Sequence, residues 1–112
     1  MQELIEKIRQ FIKERDWEQF HSPKNLVMAL NVEVAEIMEH LQWLTEEESR
    51  ELPPEKLAEL KDEIGDVFVY LIRLCDELDI DLLQAAAEKM TKNAKKYPVE
   101  QAKGNAKKYT EY

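Results

Sequence analysis

The sequence predicts an all-α fold, a four-helix bundle in a single domain spanning residues 1–112, and three observations predict it. Glycine occurs twice and proline four times, too few for the many tight turns of an all-β chain. Hydrophobic residues make up 44% of the chain, enough to build a core and to exclude disorder. Apolar residues recur at helical spacing, beginning with Leu4, Ile5, Ile8, Phe11 and Ile12.

That first stripe predicts a helix from about residue 2 to the aromatic cluster Trp17–Phe20. His21-Ser22-Pro23 breaks it and restarts the chain, because Ser22 can cap a helix whose first position is Pro23. The second helix is expected from Pro23 to about Trp43, with Leu26, Leu30, Ile37, Leu41 and Leu44 as its stripe. Thr45 and Glu48 have capping-box spacing and predict a short helical turn, which Leu52-Pro53-Pro54 stops. Pro54 begins the third helix, carrying Leu57, Leu60, Ile64, Val67, Phe68, Leu71, Leu74 and Leu78. Asp81 and Gln84 mark the start of a fourth, which ends before Pro98. From Val99 to Tyr112 there is little periodicity.

Charge is unevenly placed along the chain. The net charge is -8, yet residues 33–66 hold twelve acids against three bases, while residues 89–112 hold seven lysines against two acids. The acidic balance argues against a nucleic-acid polymer as partner, since duplex binders need a basic face. An acidic middle and a basic tail suit a site that holds metal ions with carboxylates and phosphates with lysines; a solvated acidic helix face would give the same pattern. No apolar run approaches the ~18 residues of a membrane span, no signal peptide is evident, and one cysteine, Cys75, excludes a disulfide framework. A cytoplasmic location without membrane contact is expected. A chain of 112 residues buries limited apolar surface, so self-association is expected too.

The chemistry rests on two strings, Glu33-Val34-Ala35-Glu36 and Glu63-Ile64-Gly65-Asp66. In each, carboxylates three residues apart project from one helix face. Their apolar neighbours Ile37, Ile64 and Val67 place them at the edge of the core. Converging carboxylates repel and resist desolvation, and Mg2+, which takes hard oxygen ligands and shares its shell with substrate phosphates, fits such a group. A carboxylate-bridged di-iron bundle needs E-x-x-H on two helices; only Glu18–His21 has that spacing. There is no P-loop, glycine-rich loop or Ser-His-Asp set.

E-x-x-E followed after 26 residues by E-x-x-D resembles the motif of the all-α nucleoside triphosphate pyrophosphohydrolases of the MazG-like superfamily. Glu14-Arg15-Asp16-Trp17-Glu18-Gln19-Phe20-His21, Pro23, Asn25-Leu26, Gln42-Trp43, Asp66-Val67, Tyr70-Leu71, Tyr97-Pro98 and Lys108-Tyr109-Thr110 are similar to its dCTP pyrophosphatase branch, over about residues 8–110. The resemblance implies one MazG-like domain over 1–112, with Mg2+ held by Glu33, Glu36, Glu63 and Asp66. It implies hydrolysis of a nucleoside triphosphate, dCTP or a base-modified dCTP, to monophosphate and pyrophosphate, in nucleotide-pool cleaning. Which acid takes the proton of the attacking water stays open, with Glu36 and Glu63 favoured. The aromatic base pocket of the branch maps onto Trp17, Phe20 and Trp43, with Gln19 and His21 beside it. Without the resemblance, Trp17 and Phe20 read first as a staple between the first two helices. Tyr70, one turn after Asp66, maps onto a sugar or phosphate contact. Lys24, Lys92, Lys96 and Lys108, with Asn93, Tyr97 and Tyr109, are candidates for phosphate and substrate contacts. The resemblance also implies a homodimer or homotetramer.

His40 lies four residues after Glu36, where the motif has no histidine, and reads as a surface or supporting residue. Cys75 reads as a small buried apolar residue. The short Pro-Pro linker and the lysines at 95 and 96 depart from the branch and bear on base selectivity more than on the reaction. A less selective triphosphate pyrophosphohydrolase and a non-catalytic helical interaction module are the alternative readings.

Overall fold

The computed structural model describes residues 1–112 and contains helices and turns without a strand, as the all-α expectation requires. Helix α1 is Gln2–Glu14, with Ile5, Ile8 and Ile12 buried along one row. Leu4 and Phe11, expected in that row, lie on its flanks and are exposed. The helix also ends earlier than the aromatic cluster. Asp16 turns left-handed at φ 53, the Trp17 N–H donates to the Ile12 carbonyl at 3.2 Å, and the Asp16 N–H donates to the Lys13 carbonyl at 3.1 Å. This double closure is the Schellman motif, and a short polar aspartate tolerates the left-handed residue it needs. A separate 3-10 turn, Glu18–Phe20, follows.

Helix α2, Pro23–Leu41, starts where the sequence places it: the Ser22 hydroxyl accepts from the Asn25 N–H at 3.1 Å, and Pro23 occupies the first turn. The short α3, Glu46–Arg50, has its capping box complete. The Thr45 hydroxyl accepts from the Glu48 N–H at 3.1 Å, and the Glu48 carboxylate accepts from the Thr45 N–H at 2.9 Å. Helix α4 is Pro54–Glu77. Helix α5, Leu82–Lys96, is capped by Asp81, whose carboxylate accepts from the Gln84 N–H at 3.0 Å. The tail holds two short turns of helix, α6 at Val99–Ala102 and a 3-10 turn at Tyr109–Glu111. The four long helices expected are thus α1, α2, α4 and α5. None is long and apolar enough to cross a membrane.

The chain divides into two compact units, Met1–Asp79 and Ile80–Tyr112. In the first, α2 lies along α4, and α1 meets α4 more lightly. Their seam buries Ile5, Ile8, Ile12, Leu26, Leu60, Ile72 and Cys75, with Leu26 at 1% exposure the most enclosed. Burial, and then Asp76 beside it, pushes the Cys75 thiol up, which suits an unreactive packing residue. Leu57, Ile64 and Leu78 of the expected α4 stripe are exposed. Helix α4 is apolar around more of its circumference than the two helices of this unit cover. In the second unit, Tyr97 meets Tyr109 and Tyr112 edge-on, each at 5.9 Å between centroids, and the Lys96 ammonium lies 4.9 Å from the Tyr109 centroid.

Leu26 has no room to be replaced by solvent, so Leu26→Ala is expected to cost about 2–5 kcal/mol, the transfer and cavity terms together. Urea unfolding measures it, and Leu4→Ala, on the exposed flank of α1, should cost far less in the same experiment.

Candidate active site

The pairing of α2 with α4 sets the two acidic strings against each other. Glu33, Glu36 and Glu63 are half-buried, while Asp66 stands more open. Ile64, expected to anchor this edge in the core, is exposed; Ile37 and Val67 are half-buried. The carboxylates approach without closing: no three acidic or histidine side chains converge into a ready ligand set. Their mutual influence is nonetheless plain at Glu33. Desolvation, then the charges of Glu36 and Asp66, a hydrogen bond with Glu36, and the charge of Glu63 all push its carboxyl above the usual glutamate range. Like charges in partial burial have this effect wherever nothing cationic offsets them.

Glu63 is the second sign of strain. Its Oε2 is buried and accepts no aligned hydrogen bond, although the His40 Nε2 stands 3.1 Å away. That approach has the distance of an ion pair but lacks the direction of a hydrogen bond. His40 is itself held by the Lys56 ammonium, 3.1 Å from its Nδ1, with Glu59 at 3.5 Å. The supporting position expected for His40 is therefore beside Glu63, across from its own helix.

Next to these acids lies a cleft of about 270 Å³, lined by Phe11, Ile12, Trp17, His21, Glu33, Asp66, Val69, Tyr70 and Arg73. The Schellman turn explains how an aromatic wall forms there. It carries Trp17 back over the end of α1, where Phe11 meets it edge-on at 5.7 Å and 77°. The Arg15 guanidinium covers Phe11 at 3.7 Å from the ring centre. His21 closes the 3-10 turn, its ring tilted 58° to Trp17 at 6.5 Å. Asn25 ties this turn to α2 by donating to the Phe20 carbonyl at 3.1 Å.

Of the residues singled out from sequence, the cleft brings together Trp17, His21, Glu33, Asp66 and Tyr70. Gln19 is occupied locally, donating at 3.0 Å to both the carbonyl and the carboxylate of Asp16. Phe20 and Trp43 do not line the cleft, and both are exposed, Trp43 to 87%. Lys24 is exposed on the first turn of α2. Lys92, Asn93, Lys96, Tyr97, Lys108 and Tyr109 belong to the second unit. There, Tyr97 ends α5 as its C-cap, donating its N–H to the Asn93 carbonyl at 2.8 Å.

Sequence reasoning passed over Phe11 as a binding residue, and Arg73 altogether. Phe11 has core spacing and nothing in its pattern marks a wall. Arg73 does carry a signal: it is a lone charge inside Tyr70-Leu71-Ile72-Arg73-Leu74, one turn after Tyr70.

The chain that carries this arrangement has relatives among known proteins. A MazG-like family profile matches residues 28–112, and the chain belongs to the MazG-like family. The dCTP pyrophosphatase 1 of Mus musculus is 44% identical over 104 residues, covering 91% of this chain and 61% of that protein. The Homo sapiens dCTP pyrophosphatase 1 is 42% identical over 104 residues, with coverage of 91% and 61%. The chain thus spans about 61% of the length of these curated relatives. A crystal structure of a pyrophosphatase from Archaeoglobus fulgidus superposes with a TM-score of 0.82 at 40% identity, covering 88% of this chain and 92% of that one.

The raised Glu33 carboxyl has a thermodynamic sign. Folding takes up a proton between the ordinary glutamate value of 4.5 and the raised folded one. The associated stability is full below the ordinary value and is lost as pH rises through the folded one. At neutral pH the acidic group therefore opposes folding. With a chelator present, Glu33→Gln is expected to stabilise the protein by about 0.5 kcal/mol, the scale of one relieved like-charge pair. It would appear as a higher urea midpoint at unchanged slope; a lower midpoint would contradict the electrostatic account.

Proposed function

We propose that the chain hydrolyses a nucleoside triphosphate between its α- and β-phosphates, releasing the monophosphate and pyrophosphate, with dCTP or a base-modified dCTP preferred. The observation that carries this reading is the shared wall. Glu33 and Asp66 line the same cleft as Trp17, Phe11 and Tyr70, so a base stacked on the aromatics puts its phosphates toward the acids. Membership in the MazG-like family and the names of the relatives, dCTP pyrophosphatase 1, support the same reaction and substrate.

The donor set fits Mg2+. All four candidate ligands are carboxylates, Glu63 Oε2 is buried without an aligned hydrogen bond, and desolvation and the neighbouring carboxylates hold the Glu33 carboxyl above the usual range. Glu33, Glu36, Glu63 and Asp66 would hold it, and it would supply charge neutralisation for the phosphates and acidify a bound water. The chain's own side chains do the rest. Trp17 and Phe11 offer ring edges and faces against a base, and such contacts tolerate many bases. Selectivity then falls to polar groups at the rim, of which His21 and Tyr70 are in the cleft. Glu36 and Glu63 are the candidates to take the proton of the attacking water at a carboxylate oxygen.

Lys24, Lys92, Lys96 and Lys108 stay candidates for phosphate contacts, one or two of them sufficing as point-charge donors. A reaction on free triphosphates belongs in the cytoplasm with them, and its use there is to remove unwanted nucleotides before polymerases meet them. The exposed apolar side chains Val27, Met28, Leu57 and Ile64 on α2 and α4 support a homodimer or homotetramer, in which a second chain would cover them. Light scattering should give a mass of two or four chains; a fully active monomer would oppose it.

The reaction is tested by pyrophosphate release from dCTP with Mg2+, in wild type and Glu63→Gln side by side. Loss of about 10²–10⁴-fold in the variant is expected for a group that holds or moves charge at the reacting centre. Equal activity in both would remove Glu63 from the site. A panel of common and 5-substituted nucleotides separates a dCTP enzyme from a less selective one, and no release at all would favour a helical interaction module.

A further inference from the structure

Arg73 is the one charged side chain that the fold buries, at 4% exposure, and the hydrolysis described above makes no use of it. It rises from α4 one turn after Tyr70 and makes three approaches. Its Nε donates to the Nδ1 of His21 at 3.2 Å. Its Nη2 donates to the Glu77 carboxylate at 2.6 Å, and its Nη1 stands 3.6 Å from Asp76. Asp76 is in turn gripped from α1 by Arg9, through Nε at 3.0 Å and Nη2 at 2.9 Å. The guanidinium therefore cannot swing away, and its Nε–H has a fixed direction.

A guanidinium has donors only and keeps its proton throughout the accessible pH range. An imidazole nitrogen that faces such a donor must present its lone pair. With Nδ1 committed as acceptor, the single proton of a neutral ring sits on Nε2. Burial, and then the positive charge of Arg73, hold His21 below the usual histidine range, with Glu77 pulling weakly the other way. The ring is thus neutral and one-sided.

We propose that Arg73 is a positioning residue that locks His21 as its Nε2–H tautomer, so that the aromatic cleft offers a donor and selects a base by an acceptor edge. The inference rests on the cleft taking the base. Cytosine carries two adjacent acceptors, N3 and O2. Uracil and thymine carry a proton on N3, which would oppose a donor there. A histidine free to choose its tautomer would accept from one base and donate to the other; a locked one discriminates between them.

Long-range 1H–15N correlation spectra of the wild-type protein, assigned by comparison with His21→Gln, read the tautomer directly and need no activity. Nδ1 unprotonated and Nε2 protonated at pH 7 is the expected result. Nδ1 protonated, or a cationic ring, would overturn the proposal. In Arg73→Met the His21 pKa should rise and its tautomers mix. KM for dCTP should rise about tenfold, the scale of one directed hydrogen bond, while kcat falls far less, and the preference for dCTP over dUTP should shrink. Arg73→Lys, which keeps the charge, should recover part of the pKa shift and of the preference; an unchanged preference in both variants would overturn the proposal. If Arg73→Met fails to fold, the wild-type spectra and Arg73→Lys still decide. A wild type that shows the expected tautomer yet releases no pyrophosphate would refute the proposed reaction while leaving the His21 assignment intact.

Discussion

Everything at the candidate site depends on an apolar seam that presses two acidic helix faces together against their own repulsion. Leu26 on α2 and Leu60 and Ile72 on α4 lie at the centre of that seam, and the acids ride at its edge. The attraction is short-ranged and insensitive to charge, whereas the repulsion weakens only with a counterion or a proton. The balance leaves Glu33 reluctant to ionise and one oxygen of Glu63 buried without an aligned hydrogen bond. Active sites commonly carry local strain of this sort, which the surrounding packing sustains.

A second device works by the opposite means, through attraction between unlike charges. Glu6, Arg9, Asp76, Arg73 and Glu77 form a chain of ion pairs from α1 to α4. Where it is exposed, at Glu6 and Arg9, such a chain contributes little to stability. Where it becomes buried, at Arg73, it gains direction, because a desolvated charge must keep its partners. The exposed end anchors and the buried end orients His21. The site thus lies between carboxylates that repel one another and an arginine that already has its anions.

Much of this was legible in the sequence. The helix starts at Pro23, Pro54 and Leu82 follow from local chemistry, with Ser22 and Asp81 as caps and proline at the first position, and the Thr45–Glu48 capping box formed as its spacing demands. The E-x-x-E and E-x-x-D strings were visible because helical spacing alone puts each pair on one face. What the sequence hid is what depends on three dimensions. Leu57 and Ile64 have core spacing but face away, since periodicity shows that a helix has an apolar side and not how much of it a neighbour covers. Phe11 is a wall rather than core for the same reason. Arg73 was overlooked because a charge inside an apolar run looks like an interruption until its partners, His21 at 52 positions' separation among them, are seen around it. The end of α1 was placed too late because nothing in Arg15-Asp16-Trp17 announces that Asp16 will turn left-handed.

That left-handed aspartate has a consequence for how the cleft tolerates change. The closure counts backward from Trp17 to Ile12, so the indole is placed in register with α1 rather than suspended on a free loop. One residue inserted or removed within α1 would rotate its end, and the ring with it, by about 100° about the helix axis. The buried row Ile5, Ile8 and Ile12 and the wall of the cleft are therefore phases of one helical screw. The turn that carries Trp17 is governed by the length of the helix before it.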